Sequence, residues 1–162
     1  FRFFMLQGLL NVGLSIPVMF VCMNPSSTPG FGMTLGVLVF VISLGGEALA
    51  DAQLSAFKKD PANAGKVCQD GLWRYSRHPN YFFEWMVWCA FALMASSSPW
   101  GWISWICPAL MLYFLLRVTG IPATEEQALR SRGDAYRAYQ ATTSAFVPWP
   151  PRRLPERSFT SK

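Results

Sequence analysis

Ionisable and amide side chains occur in this chain where an otherwise apolar sequence makes them costly, and their spacing is not random. Glu47 and Asp51 stand one helical turn apart, and Ser55 and Lys58 continue the same stripe at i+4 and i+3 spacing. Asn80 and Glu84 repeat the arrangement just after Arg77, His78 and Pro79, and Arg117 closes a later apolar run. Carboxylates and amides of this kind suit hydroxyl and carboxamide partners, whereas Lys and Arg suit phosphates, Arg through paired hydrogen bonds. Other chemistries drop out. The single His excludes sites that need two or three imidazoles. Cys22, Cys68, Cys89 and Cys107 form no C-x-x-C pair, so neither a disulfide framework nor a thiolate metal site is supported.

The elements that must carry these groups follow from composition. The chain has 162 residues, 52% hydrophobic and 14% charged, against about 25% charged in an average soluble domain. Its mean hydropathy is +0.23. A membrane helix needs about 20 largely apolar residues, and four runs approach that length. They extend from Phe3 to about Met23, from about Phe31 to Phe57, from about Asn80 to the Ser96–Pro99 turn, and from about Trp100 to Val118. The first lacks the small-residue cleavage pattern of a signal peptide. The expected fold class is therefore all-α, a polytopic membrane bundle of about four spans, with residues 1–149 embedded and 150–162 a basic tail.

Loop charge gives the orientation. Loops 24–30 and 96–99 hold no charged residue, whereas 58–79 carries Lys58, Lys59, Lys66, Arg74 and Arg77, and the chain after span four is rich in Arg. Excess Lys and Arg mark cytoplasmic loops, so the 58–79 loop and the C-terminus are expected in the cytosol. The net charge of +5 then reports orientation and attraction to anionic headgroups, and nucleic acid is not an expected partner. An amphipathic cytosolic helix is expected from Thr124, as its capping residue, to about Gln140, followed by an extended FVPWPPRR run. Polar residues within spans are usually paired, water-lined or functional. With this topology all of them lie at cytosolic helix ends, in one expected pocket. The competing structural reading of Glu84 and Arg117 is a buried ion pair joining spans three and four. Trp85 and Trp102 read as interface anchors. Gly30, Gly32 and Gly36 follow no strand and so form no dinucleotide fingerprint; Gly32 with Gly36, and Gly45 with Gly46, read as small-residue helix contacts.

The run GLWRYSRHPNYFFEW (Gly71 to Trp85), the upstream GGEALADAQLSAFKKDPANAGKVCQDG and the downstream LLRVTGIPATEEQALRSRGDAYRAYQATTSAFVPW together resemble the C-terminal part of the steroid 5-alpha-reductase family. The resemblance extends from about Glu47 to Trp149, and the Arg-His-Pro element is also similar to sterol reductases and isoprenylcysteine methyltransferases. It implies an NADPH site lined by Glu47, Asp51, Lys58, Arg74, Arg77, His78, Asn80, Tyr81, Glu84 and Arg117. It also implies reduction of a carbon–carbon double bond in a lipid or steroid-like enone. The protein then supplies orientation and a dry site, and the hydride is the cofactor's.

Two departures qualify what the resemblance implies. Phe83 stands where the family usually has glycine, and a bulky side chain there is expected to narrow the site. The chain opens inside an apolar run and reads as a fragment, with the substrate-engaging groups expected in helices upstream. A methyltransferase using S-adenosylmethionine, with Glu125 and Glu126 as its acidic element, and a non-catalytic membrane protein are the other readings. The membrane expected is the endoplasmic reticulum or a bacterial inner membrane, according to source.

Overall fold

Helices account for every regular element among the residues described, 2–24 and 28–152, in the computed structural model of the chain. They are α1 (Arg2–Cys22), α2 (Phe31–Lys59), α3 (Pro79–Ala95), α4 (Ile106–Arg117), α5 (Ile121–Arg132) and α6 (Asp134–Thr142), with 3-10 turns at Pro61–Asn63, Gly71–Arg74 and Gly101–Trp105. The all-α expectation therefore holds. Beyond Arg152 the expected basic tail lies outside the described residues.

Small residues draw α2 and α3 together. The buried residues of α2 are Gly36, Ser43 and Ala50, a seven-residue spacing that keeps one seam facing a neighbouring helix. A Cβ on Gly36 would lie 2.9 Å from the Ala90 carbonyl oxygen, and one on Gly32 would lie 3.1 Å from that of Leu93. The backbones of α2 and α3 thus meet where only glycine fits, as expected for Gly32 and Gly36. Farther along, the Phe83 ring fills the space where a Gly46 side chain would be, with ring carbons 2.5 Å from the ideal Cβ, whereas Gly45 faces nothing within 4 Å. Phe40 and Phe91 close the seam edge to face, with centroids 5.3 Å apart.

The helix ends sort into two groups. Ser98 Oγ donates to the Phe20 carbonyl at 2.7 Å, and Gly30 and Gly32 both approach Ser97, so the end of α1, the start of α2 and the end of α3 lie together. At the other end Asn80 Nδ2 donates to Asp51 Oδ1 at 3.2 Å, and Tyr81 Oη meets Thr124 Oγ1 at 3.2 Å. Successive long helices therefore run up and down. Among the described residues two stretches are long and apolar enough to cross a membrane, Phe31–Lys59 and Gly101–Arg132. In the second, the apolar part ends at Arg117, a break at 118–120 follows, and α5 carries Glu125, Glu126, Arg130 and Arg132.

The expected single helix from Thr124 to Gln140 is instead two. Gly133, at φ +51°, ends α5 and turns the chain into α6, a backbone state that glycine enters without the cost of a Cβ. Nor is Thr124 a cap. Helix α5 begins at Ile121, with Pro122 in its first turn, and the Thr124 hydroxyl donates back to the Gly120 carbonyl at 2.8 Å. The expected last span also starts later as α-helix, because Gly101–Trp105 forms a 3-10 turn.

Candidate functional site

The site begins with Arg77, His78 and Pro79, which end the 58–78 connection and open α3. Pro79 occupies the first helical turn, where its missing N–H costs nothing, and His78 precedes it outside helical geometry, at φ −138° and ψ 61°. Its backbone N–H donates to Ser76 Oγ at 3.1 Å, and its ring stacks on Tyr81 with centroids 5.4 Å apart.

Glu125 is the hub. Its Oε1 accepts from Arg77 Nε at 2.7 Å and from His78 Nε2 at 3.3 Å, while Oε2 accepts from Gln140 Nε2 at 2.8 Å. Burial alone pushes this carboxyl up, but the hydrogen bonds from His78 and Arg77, the Arg77 charge and the Gln140 amide outweigh it and hold Glu125 at about 2. An ionised carboxylate only accepts, so His78 Nε2 carries the hydrogen and Nδ1 presents a lone pair when the ring is neutral. Arg77 also donates to the carbonyls of Gln140 at 3.1 Å and Thr143 at 2.6 Å, and its backbone N–H to Ser144 at 2.9 Å. One guanidinium thereby joins α5, α6 and the extended segment beyond them.

In front of this cluster lies a cavity of about 490 Å³, within the ordinary range for small-ligand sites. One wall is the end of α2, through Leu54, Phe57 and Lys58, and the opposite wall is α5, through Thr124, Gln127, Ala128, Ser131 and Arg132. Between them stand Trp73, Arg77, His78, Asn80 and Tyr81, with Tyr136 and Tyr139 behind. Burial, reinforced by the Glu125 charge, pushes the Tyr136 phenol up to about 12, so it remains a hydrogen-bond donor at neutral pH. Tyr139 is buried and donates to the carbonyls of Trp73 and Ser76, pinning the 73–76 turn. That turn is held from α2 as well. Trp73 Nε1 donates to the Ala50 carbonyl at 2.9 Å, and Leu72 N–H donates to Gln53 Oε1, which sits where a Gly71 side chain would be.

The ten residues expected at the site divide. Lys58, Arg77, His78, Asn80 and Tyr81 line the cavity; Glu47, Asp51, Arg74, Glu84 and Arg117 do not. Asp51 is tied to Asn80, and Glu47, Asp51 and Glu84 lie close enough to act on one another's charge, an acidic cluster shared by α2 and α3. Arg74 and Arg117 are exposed. The alternative Glu84–Arg117 ion pair does not form; the ion pairs among the described residues are those of Glu125 with Arg77 and His78, Arg130 with Glu126, and Arg137 with Asp134. The expected single pocket is thus divided into an acidic cluster and, beside it, a cavity with Lys58 and Arg132 on its wall. Phe83, expected to narrow the site, is absent from the cavity wall because its ring packs on Gly46. The α5 wall was missed, although Thr124, Gln127, Ala128 and Ser131 recur at the spacing of one helical face.

Fold and site together define an all-helical protein with a polar cavity at one end of an apolar bundle. Within that class, the chain belongs to the DUF1295 family, described as proteins of unknown function, whose match covers residues 1–143. Among curated proteins it is similar to a probable O-methyltransferase, ustE, of Ustilaginoidea virens, with 29% identity over 94 residues, 58% of this chain and 32% of that protein. The chain thus spans about a third of that relative's length. No solved structure matches.

Proposed function

We propose that the chain is the cofactor-holding part of a polytopic membrane reductase that uses NADPH to reduce an activated carbon–carbon double bond in a lipid or sterol-like enone. The observation that carries this reading is the charge of the cavity: Lys58 and Arg132 line it with no carboxylate partner among the described residues, beside Arg77, whose charge Glu125 offsets from behind the wall. A dinucleotide with its pyrophosphate and 2′-phosphate is a polyanion and matches such a wall. The DUF1295 family is also associated with steroid 5-alpha-reductase-like membrane proteins.

The residues present fit the cofactor. Lys58 and Arg132, whose charges no carboxylate of the described residues neutralises, would take phosphate oxygens; Phe57 and Trp73 offer flat apolar surfaces; Asn80, Thr124 and Gln127 offer hydroxyl and amide partners. The bound dinucleotide supplies the hydride. The chain orients it: Glu125 fixes the Arg77 guanidinium and the His78 ring, and Tyr81 is held by His78 stacking and by Thr124.

In this reading α1, α2, α3 and the unit from Gly101 to Arg117 are four membrane spans of an integral, multi-pass protein. The cavity then opens to the cytosol of the endoplasmic reticulum or bacterial inner membrane. Exposed Val37, Leu38, Val41 and Ile42 on α2, and Ile106, Leu110 and Phe114 on α4, face the hydrocarbon.

A second reading, an S-adenosylmethionine-dependent methyltransferase, is favoured by the similarity to the probable O-methyltransferase. The His78 Nδ1 lone pair, backed by Glu125, would serve it as a base toward an acceptor hydroxyl. The reductase ranks first because S-adenosylmethionine carries a net positive charge, which a wall with two unneutralised cations, Lys58 and Arg132, disfavours. Binding of NADPH and of S-adenosylmethionine to the purified protein in detergent separates the two. Lys58→Ala and Arg132→Ala are each expected to weaken NADPH about tenfold or more, and Arg117→Ala to leave it unchanged. An intact fold that binds S-adenosylmethionine and not NADPH overturns the reductase.

A further inference from the structure

A second cavity, of about 300 Å³, lies on the far side of Arg77, beneath the extended segment 143–152. Arg77, Thr143, Ser144, Trp149 and Arg152 line it, and no carboxylate among the described residues does. The segment is a closed strap. Arg77 N–H donates to Ser144 at one end, Trp149 N–H donates to the Tyr75 carbonyl at 2.9 Å, and Arg152 N–H returns to the Thr142 carbonyl at 2.8 Å. Arg77 is offset by Glu125, so the net charge at this cavity is that of Arg152, which is exposed and forms no ion pair among the described residues.

The depth of the strap identifies what it faces. Phe146 is buried against Leu115 and Ile121, and its ring meets those of Phe82 and Trp85 with centroids 5.7 and 5.8 Å apart. The strap is therefore anchored level with the first two turns of α3 and the last turn of α4, where an apolar bundle emerges from its bilayer. Around that anchor, Val147 is 52% exposed, Trp149 67% and Tyr75 42%. Large apolar and aromatic side chains left open beside an unpaired Arg are the composition of a headgroup-level surface. Water alone gives no reason to hold Val147 and Trp149 outward on a segment whose other large apolar residue is buried.

We propose that the cavity beneath the 143–152 strap holds the phosphate of an anionic membrane phospholipid, with Arg152 and the Ser144 hydroxyl as its partners and Trp149 resting at the headgroup–acyl boundary. Arg77 walls both cavities, so lipid here and ligand in the larger cavity act on opposite sides of one fixed guanidinium. The proposal rests on the membrane reading above and not on the identity of the cofactor.

The test uses the full chain in mixed micelles and in nanodiscs. Addition of phosphatidylglycerol, and not of phosphatidylcholine at the same concentration, is expected to raise the melting midpoint. Arg152→Ala should weaken that response about fivefold, from the worth of one basic residue at an anionic surface, and leave cofactor binding in the larger cavity unchanged. In nanodiscs carrying headgroup-labelled quencher lipids, the fluorescence lost on Trp149→Phe should be the quenched component. An equal response of Arg152→Ala and wild type overturns the proposal. So does the same stabilisation by inorganic phosphate alone, which would make the cavity a soluble-anion site. Release of the protein from membranes by alkaline carbonate would instead remove the membrane reading itself.

Discussion

Glu125 carries the greatest consequence of any single side chain in the site, because three donors converge on it and two of them, Arg77 and His78, wall the cavity. Its side chain is 15% exposed and that of Arg77 10%, so solvent screens the pair little. Glu125→Ala leaves a buried guanidinium without its counter-charge and is expected to cost about 3–5 kcal/mol of stability, read as a fall in the unfolding midpoint in detergent. The pH dependence follows from the depressed carboxyl. In the folded chain it titrates at about 2 and in the unfolded chain near 4.5, so between those values the unfolded state binds the extra proton. The stabilisation is complete above about 4.5 and is lost as pH falls toward 2, a loss worth about 3 kcal/mol. Unfolding measured across that range should show the loss in wild type and a flatter profile in Glu125→Gln; parallel profiles would mean that the carboxylate is not the group responsible.

At the scale of elements, the α2–α3 pair sets the geometry of everything at the polar end, since Asp51, Lys58 and Asn80 all ride on it. The Phe83 ring occupies the notch at Gly46, with ring carbons 2.5 Å from where a Cβ would be. Gly46→Ala is therefore expected to cost about 1–3 kcal/mol through overpacking. In a Phe83→Ala background most of that penalty should disappear, a coupling that thermal unfolding of the two single variants and the double variant would read directly. Additive effects would place the strain elsewhere. This contact also marks how far the sequence could be read. Small-residue spacing announced that Gly32 and Gly36 meet another helix, because backbone approach depends on residue size alone. The partner of Phe83 depended on helix rotation, which no local pattern encodes, so the same residue looked like an obstruction in the site. Likewise, Glu47, Asp51 and Lys58 were legible as one stripe. The turn that carries Lys58 to the cavity while Glu47 and Asp51 face Glu84 is set by α3 packing. The break at Gly133 had a local signal, a glycine followed by an aspartate, but continuous helix-forming sequence on both sides masked it.

Across the whole molecule, the charge pattern of the loops and the packing of the helix ends arrive independently at the same division. The end of α1 and the start of α2, which flank the uncharged 24–30 sequence, and the uncharged turn at 96–99 gather where Ser98 meets Phe20, and the basic 58–79 segment, α5 and α6 gather at the end where Asn80 meets Asp51 and Tyr81 meets Thr124. Charge placement is a sequence property and so was legible; the closure of α5 and α6 over the helix ends, which creates the α5 wall, depends on contacts between residues about 50 apart and was not. If the apolar helices are spans, the two ends must lie in different aqueous compartments, and positive-inside bias assigns the basic end to the cytosol. Cysteine labelling tests this with little background, since Cys68, Cys89 and Cys107 are buried and Cys22→Ser removes the exposed one. In sealed vesicles with the cytosolic face outward, a membrane-impermeant maleimide should label Lys66→Cys and Arg137→Cys at once, and Thr28→Cys and Ser97→Cys only after permeabilisation. Labelling of all four positions from one side would dismantle the four-span arrangement and, with it, both the cytosolic cofactor cavity and the headgroup strap.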